Sequence, residues 1–260
     1  MRIAMGIEYN GSHYYGWQRL SDLVSVQQSL EEALSIVANH DVTVQCAGRT
    51  DTGVHAQAQV IHFETDSIRD ERNWLLGTNA NLPKDISVIW VQETTEEFHA
   101  RFSAVARTYR YIINNSHSRP AILQQQTTWI HYYLDQQRMH AAAQLLVGRH
   151  DFNAYRAAGC QSKTSIRNVQ LLNVTQQQNY IYIDIRADAF LHHMVRNIVG
   201  VLLAIGRGDR EIDWSRQVLE SQDRRQAGIT APANGLYMVS VDYPDQFKLP
   251  RAPAVIQFNS

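Results

Sequence analysis

Cysteine is nearly absent: Cys46 and Cys160 are the only two. Two isolated thiols give no disulfide framework and no cysteine-based zinc spacing. The 11 histidines are scattered, and His192-His193 has neither a nearby cysteine nor an HExxH setting. Long apolar runs are also missing. The longest, around residues 197–205, is far too short to span a bilayer. The opening MRIAMGIEYN alternates like a strand and carries no leader-type apolar core. These absences lead us to expect a soluble cytoplasmic protein without metal, with no membrane partner.

Lysine is scarce too. Of 24 basic residues only Lys84, Lys163 and Lys248 are lysines, and the rest are arginines. Net charge is -1, which by itself does not suggest a nucleic-acid partner. Distribution argues differently. Residues 98–134 hold no acid yet contain Arg101, Arg107, Arg110 and Arg119, and residues 152–183 hold no acid yet contain Arg156, Lys163 and Arg167. Arginine forks suit bidentate phosphate contacts and stack on bases. Basic surfaces can thus exist on a neutral chain, although genome composition alone also turns lysine into arginine.

What is present reads as α+β. At 260 residues the chain fits one large domain or two of about 130. Ile3, Met5, Ile7 and Tyr9 alternate on a first strand. Ser25 with Gln28 forms a capping box for a helix whose buried stripe is Val26, Leu30, Ala33, Leu34 and Val37, with Asn39 at its end. Further strands are expected at residues 42–46, 59–64, 86–91, 108–114, 166–174, 180–187 and 236–243. Further helices are expected from Asp135 to a stop at Gly148, over 190–205 with Gly206 at the end, and over 212–219. The tail beyond Pro244 should be irregular. No Gly/Ser linker marks a boundary, and the division is placed near Ala104, giving domains 1–104 and 105–260.

Three features can carry chemistry. AGRTDTGVHA, residues 47–56, sets Asp51 in an Asp-Thr-Gly triplet between two strands. A surface turn is the plain reading, since Asp and Gly favour it. An aspartic-protease reading needs two carboxylates sharing a proton. Here Arg49 lies two residues away, which favours an ionised carboxylate instead. The segment FLHHMVRNIVGVLLAI is apolar nearly all round yet contains Arg196, whose partner is Asp184, Asp188 or Asp51 if it does not snorkel to the surface. In ARTYRYIIN, alternation puts Tyr109 and Tyr111 on one face and Arg110 on the other, with Arg107 nearby. Tyr109 and Tyr111 are either core residues or a base-stacking platform, and the platform would make a non-catalytic RNA-binding module.

Six segments occur in order: YNGSHYYGWQ, AGRTDTGVHAQAQV, ARTYRYIIN, HDFNAYRAAGCQSKT, AFLHHMVRNIVG and DRRQAGITAPANGLYMVSVDYP. Together they resemble the TruA-type family of bacterial tRNA pseudouridine synthases, over nearly the whole chain. Thr52 stands where that family often has alanine. The resemblance implies two similar subdomains, each a mixed, mainly antiparallel sheet flanked by helices, joined into one extended sheet with a central basic cleft. It implies isomerisation of uridine to pseudouridine in the anticodon arm of tRNA, positions 38–40, by a homodimer that needs no cofactor. It implies that Asp51 is the catalytic carboxylate, Arg49 holds the target nucleotide out of the stack, Tyr109 packs on the base, Arg196 pairs with Asp51, and Leu236 lines the base pocket. Arg107 and Arg110 are expected to contact the RNA.

Overall fold

The computed structural model describes residues 1–250 and 254–258. The chain runs β1 (Arg2–Tyr9), α1 (Val26–Ala38), β2 (Gln45–Cys46), β3 (His55–Glu64), α2 (Glu71–Asn81), β4 (Ile86–Thr94), β5 (Ala106–Asn115), β6 (Thr128–Ile130), α3 (Gln136–Gln144), β7 (Gly148–Asp151), β8 (Ile166–Gln177), β9 (Tyr180–Ala187), α4 (Met194–Arg207), α5 (Trp214–Ser221) and β10 (Leu236–Asp242). These form two compact units, Met1–Val105 with Tyr237–Ile256, and Ala106–Leu236 with Gln257–Ser260. Both are α+β. The first unit departs from the expected division 1–104 and 105–260 by taking in residues 237–256. The reason is β10, whose Tyr237 and Met238 pair parallel with His55 and Ala56 of β3.

In the first unit β1 is central, antiparallel to both β3 and β4. Its alternation is only half the story. Ile3, Met5 and Ile7 are fully buried, but so is Ala4 on the opposite face. There Ala4 joins Ala47, Val60, Phe98, Ala100 and Phe247 in a core cluster. Helix α1 starts where expected: Ser25 accepts a hydrogen bond from the Gln28 amide, and Asn39 ends it in the left-handed region at φ 59°. The box is not reciprocal, because the Gln28 side chain donates to Glu32. The expected strand over 42–46 shortens to β2. Helix α2 was not legible in ERNWLLGTNAN, where only Trp74 and Thr78 are buried.

The second unit holds an antiparallel sheet in the order β5-β9-β8-β7, with β6 parallel to β5. Asp135 caps α3 through the Arg138 amide, as read from the sequence. Gly148 does not stop that helix; the helix ends at Gln144, and Gly148 opens β7. Helix α4 begins at Met194 rather than Phe190, because His193 is left-handed at φ 59°. It continues through Gly206 and ends at Gly208, φ 87°. Met139 of α3 fills the space a side chain at Gly206 would occupy, so that glycine serves helix packing. Nearly all of α4 is buried, as its all-round apolar pattern required. Beyond Pro244 a 3-10 turn forms over Asp245–Phe247. Of the tail expected to be irregular, residues 251–253 and 259–260 lie outside the described residues.

Candidate active-site elements

The Asp51 loop is held on every side within the first unit. At its start the Ala47 amide donates to the Val60 carbonyl, 2.8 Å. The fully buried Gln59 then grips Gly48 twice: its Nε2 donates to the Gly48 carbonyl at 2.6 Å, and its Oε1 accepts from the Gly48 amide at 3.4 Å. Thr50 is held from below, its carbonyl accepting from the Trp17 amide at 3.0 Å and its Oγ1 lying 2.8 Å from Tyr9 Oη. The Gly53 amide donates to the Tyr14 carbonyl at 3.4 Å. Asp51 itself closes a turn, accepting from the Val54 amide at 3.1 Å. The turn reading of Asp-Thr-Gly is therefore correct as geometry. What distinguishes this turn is how firmly it is fixed, with Asp51 half-buried and Arg49 and Thr52 exposed.

The fixing explains YNGSHYYGW. Gly16 sits at φ 85°, and a Cβ there would lie 2.7 Å from the Thr50 carbonyl oxygen. Only glycine lets this segment lie against the loop. Gly11 likewise leaves no room for a side chain against the Val54 backbone, and its amide donates to Nδ1 of His55 at 3.0 Å. His55 is buried and stacks on Tyr237 with ring centroids 4.6 Å apart. Sequence reasoning passed over His55 and Gln59. Their signal was polarity at strand positions that β3 buries on both faces.

In the second unit, Tyr109 is buried on β5, edge-on to Phe190 with centroids 5.0 Å apart. Tyr111 is fully buried, its hydroxyl lying 2.6 Å from Thr128 Oγ1 and donating to the Pro232 carbonyl at 2.8 Å. Burial pushes that phenol above its ordinary pKa. This corrects the stacking-platform reading, since Tyr111 is a core tether and presents no face to a base. Arg110 forms a bidentate pair with Asp184, Nε to Oδ1 and Nη2 to Oδ2 both at 2.7 Å, across the β5–β9 register, and lies over the Tyr182 ring. Nη1 of Arg107 donates to the Asp188 carbonyl at 2.9 Å.

Arg196 is half-buried on α4, and its Nε donates to the Ala231 carbonyl at 2.8 Å while its own carbonyl accepts from the Ala231 amide. Of the acids near it in sequence, Asp184 takes the Arg110 fork and Asp188 Oδ1 accepts from the Asn168 and Ala189 amides. The 228–231 segment is moored by Asn197, buried on α4, whose Oδ1 accepts from Arg224 Nη2 at 3.0 Å and Thr230 Oγ1 at 2.7 Å. Gly200 clears the path, because a side chain there would collide with the Ile229 carbonyl. From Pro232 the chain passes to Leu236, buried at the start of β10.

The sequence profile of the family described as "tRNA pseudouridine synthase" matches residues 5–103 and 142–244. Its span takes in the Asp51 loop of one unit and the Arg196 helix of the other. The chain belongs to this family. A tRNA pseudouridine synthase A of Aeromonas salmonicida (strain A449) is 58% identical over 253 residues, covering 97% of this chain and 94% of the relative. One of Vibrio atlanticus (strain LGP32) is 57% identical over 253 residues, covering 97% and 96%. One of Shewanella piezotolerans (strain WP3 / JCM 13877) is 57% identical over 251 residues, covering 96% of each.

This synthase is thus an isomerase that forms pseudouridine in tRNA, on the α+β fold of its family. Gly11 and Gly16 with the Gln59 amide serve the loop carrying Asp51, and Gly200 with the Asn197 amide serves the one running from residue 224 to Leu236. Asn197 and Arg224 escaped sequence reasoning because an asparagine inside an apolar helix and an arginine in DRRQ carry no periodic signal. No helix among the described residues is long and apolar enough to cross a membrane.

Proposed function

We propose that this synthase isomerises uridines in the anticodon stem-loop of tRNA, with Asp51 as the catalytic carboxylate, acting as a cytoplasmic homodimer without metal or organic cofactor. The observation that carries the reading is the rigid Asp51 turn, which holds a half-buried carboxylate beside the exposed Arg49.

The reaction breaks the ribose C1′–N1 bond, turns the base and joins C1′ to C5, so nothing is oxidised or added. The uridine must first leave the stack, at a cost of a few kcal/mol. Arg49, exposed on the turn, is suited to hold it out, and Tyr109 and Leu236 to receive the base. Attack on C1′ and addition to C6 both need an ionised carboxylate, and the demand on Asp51 is the same. Arg196 supplies the positive charge that favours that state. The C5 proton then leaves and the freed N1 takes up a proton from water; this reading assigns the first transfer to the Tyr109 hydroxyl, which passes its own proton on as it accepts one. Arg107 is the RNA-contacting residue of β5; the fork of Arg110 is engaged by Asp184 and supports the strand.

Asp51→Asn keeps the turn and removes the charge. We expect it to abolish tritium release from tRNA carrying 5-tritiated uridine while tRNA binding persists. Appreciable turnover by this variant overturns the assignment. Mapping pseudouridine along the product tRNA tests the anticodon stem-loop, and light scattering tests the dimer.

A further inference from the structure

We propose that the turn carrying Arg101 and Phe102 is a second RNA contact of this synthase, with the Phe102 ring stacking on a base next to the extruded uridine and Arg101 taking the adjoining phosphate. The inference rests on reading the Asp51–Arg49 loop as the reacting loop.

Phe102 is 76% exposed, whereas every other phenylalanine described is buried or half-buried. A lone exposed apolar side chain is ordinary. This one is displayed by a built turn. The His99 amide donates to Ser103 Oγ at 3.0 Å, and the Ser103 amide returns to the His99 carbonyl at 2.9 Å. Nδ1 of His99 accepts from the amides of Arg101 and Phe102, at 3.1 and 3.3 Å. The His99 ring supports the Phe102 ring from one side, centroids 4.3 Å apart. The Arg101 guanidinium, on an exposed residue, lies over the ring at 5.5 Å from its centroid, a weak stack that a base can replace while the charge turns to a phosphate. An ordered, exposed aromatic ring with a cation at its face matches what single-stranded nucleic acid needs, a π surface for the base and a charge for the phosphate.

Its place in the unit gives the turn its role. Phe98 and Ala100, which flank His99, lie in the same core cluster as Ala47, where the Asp51 loop begins. Both loops are therefore rooted in one core. Cys46 reports the same proximity: burial pushes its thiol up to about 11, while Arg49 and Arg101 both act to lower it. Arg49 and Arg101 thus stand within charge reach of one thiol. If Arg49 holds the flipped uridine, the neighbouring nucleotide passes over Arg101 and Phe102.

The test is fluorescence-anisotropy binding of an anticodon stem-loop RNA to Phe102→Leu, Phe102→Tyr and Arg101→Gln, with thermal melting and light scattering on each. Phe102→Leu keeps apolar area and loses the flat face, and binding should weaken roughly 5- to 100-fold. Phe102→Tyr keeps the face and should bind near wild type. Arg101→Gln should reduce the slope of log affinity against log salt by about one phosphate contact. Wild-type affinity in Phe102→Leu, or a loss that follows dissociation of the oligomer, overturns the proposal; the second outcome would place a second copy of the chain on the ring. Binding is read without turnover, so failure of the Asp51 assignment would appear in the tritium assay and leave this comparison intact.

Discussion

Tyr9 Oη lies 2.8 Å from Thr50 Oγ1, bonding the last residue of β1 to the residue before Asp51. Both side chains are buried, and the Tyr9 ring packs on Trp17, whose amide holds the Thr50 carbonyl. The first strand therefore sets the height of the Asp51 turn.

Tyr9→Phe deletes that bond and leaves a buried threonine hydroxyl to find another partner, at about 1 kcal/mol of stability. The larger effect should be kinetic. Small misplacements of a reacting group cost up to about 10²-fold. We expect kcat to fall by between about tenfold and a hundredfold, with KM for tRNA nearly unchanged. Steady-state kinetics on unmodified tRNA checks this, and an equal rise in KM would assign Tyr9 to binding instead.

Gly16→Ala attacks the same loop from the other side. The left-handed φ of 85° costs an L-residue roughly 1–2 kcal/mol, and the approach to the Thr50 carbonyl oxygen adds roughly 1–3 kcal/mol. Urea unfolding should show a loss of roughly 2–5 kcal/mol. A midpoint equal to wild type would mean that the contact yields freely.

These contacts show what a sequence can and cannot expose. The caps at Ser25 and Asp135, the β8–β9 pair and the buried α4 were legible, because each rests on local chemistry or on period. The start of α4 was not, since the left-handed His193 breaks an apolar run that still looks periodic. Helix α2 was not, since Trp74 and Thr78 are its only buried residues. At the candidate site, Asp51 and Arg49 stood out because charge sat among small residues. Gln59, His55 and Asn197 did not, because their roles are bonds to residues distant in sequence or to backbone atoms that no pattern marks.

Arg110 offers a case in which charge and role diverge. On the sequence it belongs with the RNA-contacting arginines; in the fold its fork is bidentate on Asp184 with side chains 10% and 22% exposed. Breaking a buried pair from one side costs about 3–5 kcal/mol, less where water reaches the partner. Arg110→Met should therefore destabilise by about 2–4 kcal/mol, and Arg110→Met with Asp184→Leu should recover much of that loss. The salt dependence of tRNA binding by the folded variants should match wild type. A reduced salt slope would return Arg110 to the phosphate contacts.

His62 makes stability depend on pH. It is buried, its Nδ1 accepts from the Ala100 amide, and its ring meets His99 edge-on at 4.6 Å. Burial first, then His99 and Arg2, lower its pKa from 6.5 to about 4, with Glu64 opposing. His99 is lowered as well, by burial and then Arg2. The folded state thus resists a proton that the unfolded chain accepts. The associated stability is complete above the unfolded value of 6.5 and drains as pH falls towards 4, by up to about 3 kcal/mol for His62. Urea unfolding from pH 7.5 to 4.5 should show stability falling with acid. In His62→Asn, whose Oδ1 can replace Nδ1 as the acceptor for Ala100, that fall should flatten; a slope as steep as wild type's would move the titration to other groups.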